Sequence, residues 1–208
     1  YLTLEDKVPQ VRQRRRCIEC GHCVALCPAQ AVTISDYPAE PLYDYDPKSM
    51  HLDPTNLLRF IQFRRSCRDF RPQRVEREKW EMMLQAGRFT PTGSNLQDVS
   101  YYIVQERLDE FKPLVWEGLH SITPAAARGE LAEKYQQNHD DDVMFFNAPA
   151  VLIIASELAH HSELVASNVE LMAYAQGLGC LYTGFVRRGI TYGAQARQFL
   201  GLTGRENI

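Results

Sequence analysis

The residues whose types and spacing most directly suggest chemistry are four cysteines near the start of the 208-residue chain. They follow the pattern C-x2-C-x2-C-x3-C-P and are Cys17, Cys20, Cys23 and Cys27, here called the cysteine run (residues 17–27). Thiolates so close together can wrap around one compact centre. Zinc is usually held by two separated pairs of ligands. The spacing therefore favours an iron–sulfur cluster, with zinc as the alternative.

The cysteine run resembles one half of a bacterial ferredoxin domain that carries two clusters. In that family the fourth cysteine of each motif binds the other cluster, whereas this sequence contains one motif. If the chain is complete, Cys27 closes the same [4Fe–4S] cluster as the other three cysteines. If an upstream half is missing, Cys27 serves a second cluster. The residues before Cys17 resemble the strand and turn that join two such halves, so we expect a missing N-terminal part.

Three later segments suit the binding of a phosphate and a polar heterocycle. The arginine segment (residues 64–68, Arg-Arg-Ser-Cys-Arg) offers guanidinium groups and a hydroxyl to a phosphate. The amide segment (residues 91–97, Pro-Thr-Gly-Ser-Asn-Leu-Gln) is rich in amides and hydroxyls. The glycine segment (residues 177–185) contains glycines that let backbone N–H groups approach a ligand closely. Each segment alone is a weak indication, because an arginine-rich turn is usually a salt-bridged surface.

These three segments, in this order, resemble the FMN-dependent nitroreductase family from about Arg64 to Arg187. The resemblance implies an α+β fold, a mixed sheet flanked by helices, with the small ferredoxin-like iron–sulfur segment in front of it. It also implies a homodimer with FMN at the subunit interface, each site using residues of both chains.

The resemblance assigns roles within the arginine segment. Arg64 and Ser66 match the contacts to the phosphate and ribityl chain of FMN, and Arg65 occupies a position that also touches the cofactor. Arg68 matches a cation beside the pyrimidine edge of the flavin. A positive charge there would stabilise the negative charge that the flavin gains on reduction.

In the other two segments, Asn95 matches a side chain that reaches the flavin, with Gln97 beside it. Thr183 and Gly184 match a backbone pair near the flavin O4 and N5 atoms. The resemblance assigns no catalytic acid. Asp98 departs from the family pattern, since many members have proline there, and this puts the shape of the substrate-side loop in question.

Several other polar residues have a structural interpretation. Cys67 and Cys180 are expected to be small buried side chains, with redox-active thiols as the alternative. Glu170 is expected to be structural. The pair His160 and His161 is expected to mark the surface start of a helix rather than a metal site.

Hydrophobic periodicity predicts the elements that must position these groups. The patterns predict strands at 99–104 and 150–155, a short strand or loop at 180–185, and helices at 55–63, 75–89, 108–119, 125–135, 162–177 and 192–200. Residues 36–54 contain four prolines and predict a linker. The predicted organisation is a ferredoxin-like segment at 1–35, this linker, and an FMN domain at 55–208. Family members continue past the last helix into another strand and a basic arm, so we expect that the FMN domain is C-terminally incomplete or that this contact is replaced.

Composition excludes several classes of protein. A net charge of −3 and a pI near 6.1 argue against a general nucleic-acid binder. No stretch of 18 apolar residues is present, so we expect no membrane span. Clustered cysteines without a visible export signal favour a reducing, cytoplasmic location.

The sequence thus predicts an FMN-dependent oxidoreductase that reduces a small, nitroaromatic-like organic acceptor. Electrons would be relayed through the [4Fe–4S] cluster, with ferredoxin or NAD(P)H as the donor. Two alternatives stay open. One is a reductase of a quinone, enone or halogenated aromatic, and the other is an electron-transfer module without a small substrate of its own.

Overall fold

The structure is a computed structural model that describes residues 2–11, 17–34, 44–133 and 142–208. The predicted linker over 36–54 is therefore described only from residue 44, and the helix expected over 125–135 only as far as residue 133. Within these ranges helices pack around a few strands, in agreement with an α+β fold. No helix in the described part of the chain is both long enough and apolar enough to span a membrane.

A β-hairpin and a one-turn helix form the N-terminal part. Strand β1 (Leu2–Glu5) pairs antiparallel with β2 (Val8–Val11). Helix α1 (His22–Ala25) lies inside the cysteine run. Gly21, with φ 73°, lies directly before it, in the left-handed conformation that glycine adopts at low cost. A tight turn within the cysteine run thus depends on this glycine.

The central strands are β3 (Val99–Val104) and β4 (Val151–Ser156), which pair antiparallel along their whole length. The prediction for β3 is confirmed, and that for β4 begins one residue early. Both strands are rich in the β-branched and aromatic residues that favour a pleated, half-buried surface. An isolated parallel bridge joins Ser66 to Cys180, and an antiparallel bridge joins Ser156 to Asn207. The pairing around these strands therefore includes both antiparallel and parallel contacts.

Longer helices flank these strands. They are α2 (Pro54–Phe63), α3 (Arg77–Arg88), α4 (Leu108–Ile122), α5 (Ala159–Ala175), α6 (Gly184–Tyr192) and α7 (Ala194–Leu200). Helix α2 begins earlier than predicted, because the Asp53 carboxylate accepts the Asn56 N–H at 2.8 Å and Pro54 tolerates the first helical position. Helix α5 likewise begins at Ala159, three residues before Ser162.

Helix α6 departs most from the sequence-based prediction. The pattern predicts a strand or loop over 180–185, but the chain becomes helical at Gly184. Thr183 caps this helix, since its Oγ1 atom accepts the N–H of Val186 at 3.4 Å. The expected helix at 192–200 starts two residues later, as α7, after an extended Gly193.

Two apolar clusters form the core. The larger lies among α4, α6 and the strands, where Phe111 and Val115 have 0% exposure and Ile190 has 1%. The smaller joins α3 to α5 through Met83 and Val169. The sheet separates these clusters, and the helices packed on it hold the segments that join them, in which the candidate site lies.

Helices α4 and α6 approach each other closely through glycines. A Cβ atom added at Gly118 would lie 2.0 Å from the carbonyl oxygen of Gly189. One added at Gly189 would lie 2.3 Å from the carbonyl oxygen of Val115. Neither clash involves a flexible side chain, so this crossing requires glycine at both positions.

Candidate functional site

The arginine segment and the glycine segment lie side by side. Ser66 forms a parallel bridge with Cys180, and the Cys67 N–H donates to the Cys180 carbonyl at 2.9 Å. A Cβ at Gly179 would come within 2.9 Å of the Cys67 sulfur, so glycine permits this approach. Two of the three segments that the sequence analysis selected are therefore neighbours in the fold.

Arg64 is oriented by an acidic residue of α5. Its Nη1 atom lies 2.8 Å from Oε1 of Glu170, whose side chain is 11% exposed. A charge-assisted bond to a largely buried carboxylate restricts the guanidinium more than a surface pair would. Glu170 therefore has a structural role, as expected, and its partner is Arg64. The assignment of Arg64 to the FMN phosphate stays a prediction.

Arg65 and Arg68 are exposed, as is Ser66 between them. Among the residues that the structure describes, ion pairs involve Arg64 but neither Arg65 nor Arg68. The arginine segment therefore presents two cations and a hydroxyl to solvent. This donor set fits a phosphate-bearing anionic cofactor.

Thr183 and Gly184 lie at the N-terminus of α6. Thr183 is half-buried, Gly184 is exposed, and a Cβ at Gly184 would have no atom within 4 Å. The backbone here is therefore open to a ligand. Burial, with the nearby Glu170 carboxylate, raises the pKa of the adjacent Tyr182 to about 12. The same two causes raise the pKa of the Cys180 thiol to about 11. Both groups hold their protons at neutral pH.

The amide segment reaches the cysteine run. Asn95 donates from Nδ2 to the Ile18 carbonyl at 2.9 Å. Gln97 donates from Nε2 to the Asn95 Oδ1 atom at 3.3 Å, which fixes the orientation of the Asn95 amide. The two predicted flavin neighbours therefore touch each other. Sequence reasoning did not foresee the contact with Ile18, because nothing local indicates a partner 77 residues away.

His161 lies at the start of α5, as expected, but it is fully buried, with 0% exposure, so its expected position at the surface is wrong. Its Nδ1 atom lies 2.5 Å from Asp98 Oδ1, and its Nε2 atom lies 2.8 Å from the Gly93 nitrogen. A signal for its burial was present in the sequence. His161, Val165, Val169 and Ala173 recur at intervals of four, which places them on one face of α5.

The cysteine run does not form a closed metal site. Cys17 and Cys20 are exposed, and Cys23 and Cys27 are half-buried. Across residues 2–11, 17–34, 44–133 and 142–208, no three side chains of His, Cys, Asp or Glu converge enough to hold a metal ion. The surroundings of Cys27 nevertheless suit a metal-binding thiolate, because its sulfur accepts the Ala31 N–H at 3.3 Å. This bond and further N–H groups of residues 29–32 lower the pKa of the Cys27 thiol.

A cavity of about 920 Å³ lies beside the glycine segment. Its lining includes β4 residues 151–154, residues 177–184 and Ile208. The cavity runs along the edge of β4 that does not pair with β3. In the described part of the chain this edge pairs only with Asn207, through Ser156. The predicted cofactor contacts Thr183 and Gly184 line it, whereas those of the arginine and amide segments do not.

Comparisons with known proteins place the chain in a family context. Residues 61–208 match the model described as the nitroreductase family. No curated protein matches the chain.

Three solved structures with a similar fold are distant from this chain in sequence. A nitroreductase from Bacteroides fragilis with bound FMN has a TM-score of 0.62 at 16% identity, over 73% of this chain and 83% of that one. One from Desulfitobacterium hafniense, also with bound FMN, has a TM-score of 0.58 at 19% identity, over 72% and 82%. An FMN-dependent nitroreductase from Mycobacterium smegmatis, in complex with NADPH, has a TM-score of 0.54 at 16% identity, over 74% and 83%. At such low identities the structural likeness shows the fold alone.

Proposed function

The chain belongs to the nitroreductase family, and from this we infer that it is an FMN-dependent oxidoreductase that reduces a small organic acceptor of the nitroaromatic type. The observation that carries this inference is the meeting of the arginine and glycine segments through Ser66, Cys67 and Cys180. It places the segment that carries the exposed cations beside the segment that leads into α6. Fold alone would not carry it, because one fold hosts many functions.

The residues of the candidate site have distinct roles in this proposal. Arg64 and Ser66 bind the phosphate and ribityl chain of FMN, and Arg65 also touches the cofactor. Arg68 faces the pyrimidine edge, and the Thr183–Gly184 backbone faces the O4 and N5 atoms. FMN, when bound, supplies the hydride or electron transfer. The protein binds the cofactor, orients it and supplies positive charge where reduction adds negative charge.

We propose NAD(P)H as the electron donor, because the Mycobacterium smegmatis relative was solved with NADPH. Reduced ferredoxin is the other candidate, since the cysteine run resembles a ferredoxin motif. Quinones, enones and halogenated aromatics remain alternative acceptors. A module without a small substrate would take electrons from NADPH but would reduce none of these compounds.

The proposal is tested by adding FMN to the full chain and following the quenching of flavin fluorescence. We expect saturable binding and anaerobic, NADPH-dependent reduction of a nitroaromatic. Arg68→Ala should weaken FMN binding roughly tenfold, since a charge-assisted contact is lost. Arg77→Ala is the matched control, because Arg77 is an exposed arginine of α3 that pairs with Glu81. No saturable FMN binding by the parent would contradict the proposal.

We also propose that the protein is a homodimer that uses α2 at its interface. No residue of α2 is buried, and Leu57, Leu58 and Ile61, which share one face of the helix, are 39%, 55% and 45% exposed. An apolar helix face of this kind, next to the arginine segment, is typical of an interaction surface. A second copy covering it would also enclose the arginine segment.

A second, finer proposal concerns the cysteine run, which we propose binds a [4Fe–4S] cluster that relays electrons towards the flavin. Its support is the ligand spacing, the N–H groups around Cys27 and the hydrogen bond from Asn95 to Ile18. That bond brings the cysteine run to a predicted flavin contact. In the described conformation the thiols of the cysteine run do not converge on one point.

Iron and labile sulfide analysis of protein purified without oxygen tests this second proposal. Cys20→Ser should remove iron and sulfide and leave most of the FMN domain folded. Cys67→Ser, outside the cysteine run, should retain both. Stoichiometric zinc without labile sulfide in the parent would contradict the proposal.

A further inference from the structure

A buried polar network lies behind the amide segment. Asp98 Oδ1 faces His161 Nδ1 at 2.5 Å, and Asp98 Oδ2 accepts the Ser156 hydroxyl at 2.7 Å. The Ser156 oxygen in turn accepts the Leu158 N–H at 3.1 Å. His161 and Ser156 both have 0% exposure. The last residue of β4, the first turn of α5 and the start of β3 are thereby tied together.

The contacts of His161 fix its tautomer. The backbone nitrogen of Gly93 can only donate, so the His161 Nε2 atom, 2.8 Å away, must be the acceptor and carries no proton. The ring proton therefore resides on Nδ1 and is donated to Asp98. Burial alone would raise the pKa of Asp98, but the hydrogen bonds from Ser156 and His161 outweigh it and hold the pKa below its usual value. The carboxylate stays ionised and holds the imidazole in one orientation.

The amide segment needs such an anchor because its backbone is strained. Ser94, Asn95 and Gln97 have φ values of 52°, 55° and 48°, in the left-handed region that side chains disfavour. Strain of this kind persists only where surrounding contacts over-determine the conformation. Gly93, directly before these residues, is held by His161, and a Cβ there would lie 3.1 Å from Nε2.

We propose that His161, oriented by Asp98, is a positioning residue that anchors the amide segment through the Gly93 N–H and so presents Asn95 to the bound cofactor. This inference rests on the proposed function, because Asn95 can contribute to FMN binding only if the protein binds FMN. In this role His161 contacts neither the cofactor nor the substrate. Asp98, the residue at which this sequence departs from the family pattern, is then the group that selects the tautomer.

The first test reads the tautomer in the ligand-free protein. Long-range proton–nitrogen correlation spectra of labelled protein should show His161 protonated at Nδ1 and unprotonated at Nε2. In Asp98→Asn the new amide can donate to Nδ1, so the other tautomer should gain population. An Nε2-protonated ring in the parent would overturn the proposal.

The second test measures FMN affinity and the flavin absorption spectrum in variants. His161→Phe keeps an aromatic ring, of somewhat larger volume, but loses the acceptor, and it should weaken FMN binding roughly tenfold or more. His161→Gln places an amide oxygen where Nε2 was and should recover most of the affinity. Ser162→Ala is the matched control, since Ser162 is a buried neighbour whose hydroxyl bonds only within its own helix, to the Ala159 carbonyl.

The outcomes separate this inference from the function on which it rests. A parent that binds no FMN overturns both. A parent that binds FMN, with folded His161→Phe binding it equally well, overturns this inference alone. If His161→Phe does not fold, Asp98→Asn decides, and an unchanged tautomer with unchanged FMN affinity overturns the proposal.

Discussion

At the scale of single residues, the arginines of the arginine segment are not equivalent. Arg64 is held by Glu170 at 2.8 Å, whereas Arg68 is exposed. A cation that is already paired adds little net charge to its surroundings. The charge of an unpaired cation is not offset by a neighbouring carboxylate, so it acts more strongly on a group that it faces. We therefore expect Arg64 and Arg68 to affect bound FMN in different ways.

This difference predicts separate effects on the flavin reduction potential. Arg68→Ala should lower the potential, because the positive charge favours the reduced flavin over the oxidised one. A contact worth on the order of 1–4 kcal/mol corresponds to tens of millivolts for a two-electron couple, roughly 30 mV per 1.4 kcal/mol. Arg64→Ala should weaken FMN binding and change the potential little. Redox titration of the loaded variants, at equal iron content, checks this.

Identical potentials in the parent and both variants would show that Arg68 does not face the pyrimidine edge. Glu170→Gln supplies a further control, because it removes the partner of Arg64 without touching Arg68. We expect it to leave the effect of Arg68→Ala unchanged.

The thiol of Cys180 should be chemically inert. Its pKa of about 11 leaves only about one molecule in a thousand as thiolate at pH 8. Alkylation by iodoacetamide at that pH should therefore be much slower in the native protein than in the same protein unfolded in urea, as followed by peptide mass spectrometry. Equal rates in the two conditions would favour the redox-active alternative.

At the scale of secondary-structure elements, what the sequence could predict depended on periodicity. Strand β3 was predictable because six consecutive β-branched, aromatic and small residues lie between turn residues. Helix α6 was not, because its start lies in a glycine-rich segment and its signal is one capping threonine. The adjacency of Ser66 and Cys180 was beyond local reasoning, since it depends on how distant elements pack. His161 was misplaced although its four-residue spacing matched the buried face of α5.

The crossing of α4 and α6 predicts a sharp response to one added methyl group. Gly118→Ala would place a Cβ 2.0 Å from the Gly189 carbonyl oxygen, so the helices must separate. We expect a loss of on the order of 1–3 kcal/mol in the free energy of unfolding. Urea denaturation measures it.

Gly129→Ala is the matched control for this crossing, because Gly129 is an exposed helical residue and no atom of the described residues lies within 4 Å of the added Cβ. It should stabilise the protein by about 0.5–1 kcal/mol, since alanine favours helix over glycine. A Gly118→Ala protein as stable as the parent would show that the helices do not cross this closely.

At the scale of the whole molecule, α2 leaves an apolar face uncovered beside the arginine segment. Phe60 packs on Tyr174 with ring centroids 4.8 Å apart, which fixes the helix against α5. Leu58 and Phe63 face solvent. A helix fixed on one side and apolar on the other suits association with a second copy, as closed symmetric dimers require.

Leu58→Glu should therefore weaken self-association by roughly tenfold or more, because it buries a charge in the proposed interface. Sedimentation equilibrium over a range of concentrations measures the change. Asn56→Asp adds the same charge at an exposed polar position on the opposite side of α2 and should alter association less. A parent that stays monomeric while it holds FMN would exclude the dimer.

If the cysteine run binds the proposed cluster, the hydrogen bond from Asn95 to Ile18 would couple the uptake of that cluster to the uptake of FMN. A metal that orders the cysteine run would fix the carbonyl that Asn95 binds, so FMN would meet a loop whose ordering entropy has already been lost. Such cooperativity is reciprocal, and FMN must favour metal uptake by the same factor. The two cofactors would then be gained and lost together. Cells starved of iron would accumulate a chain that is also short of flavin.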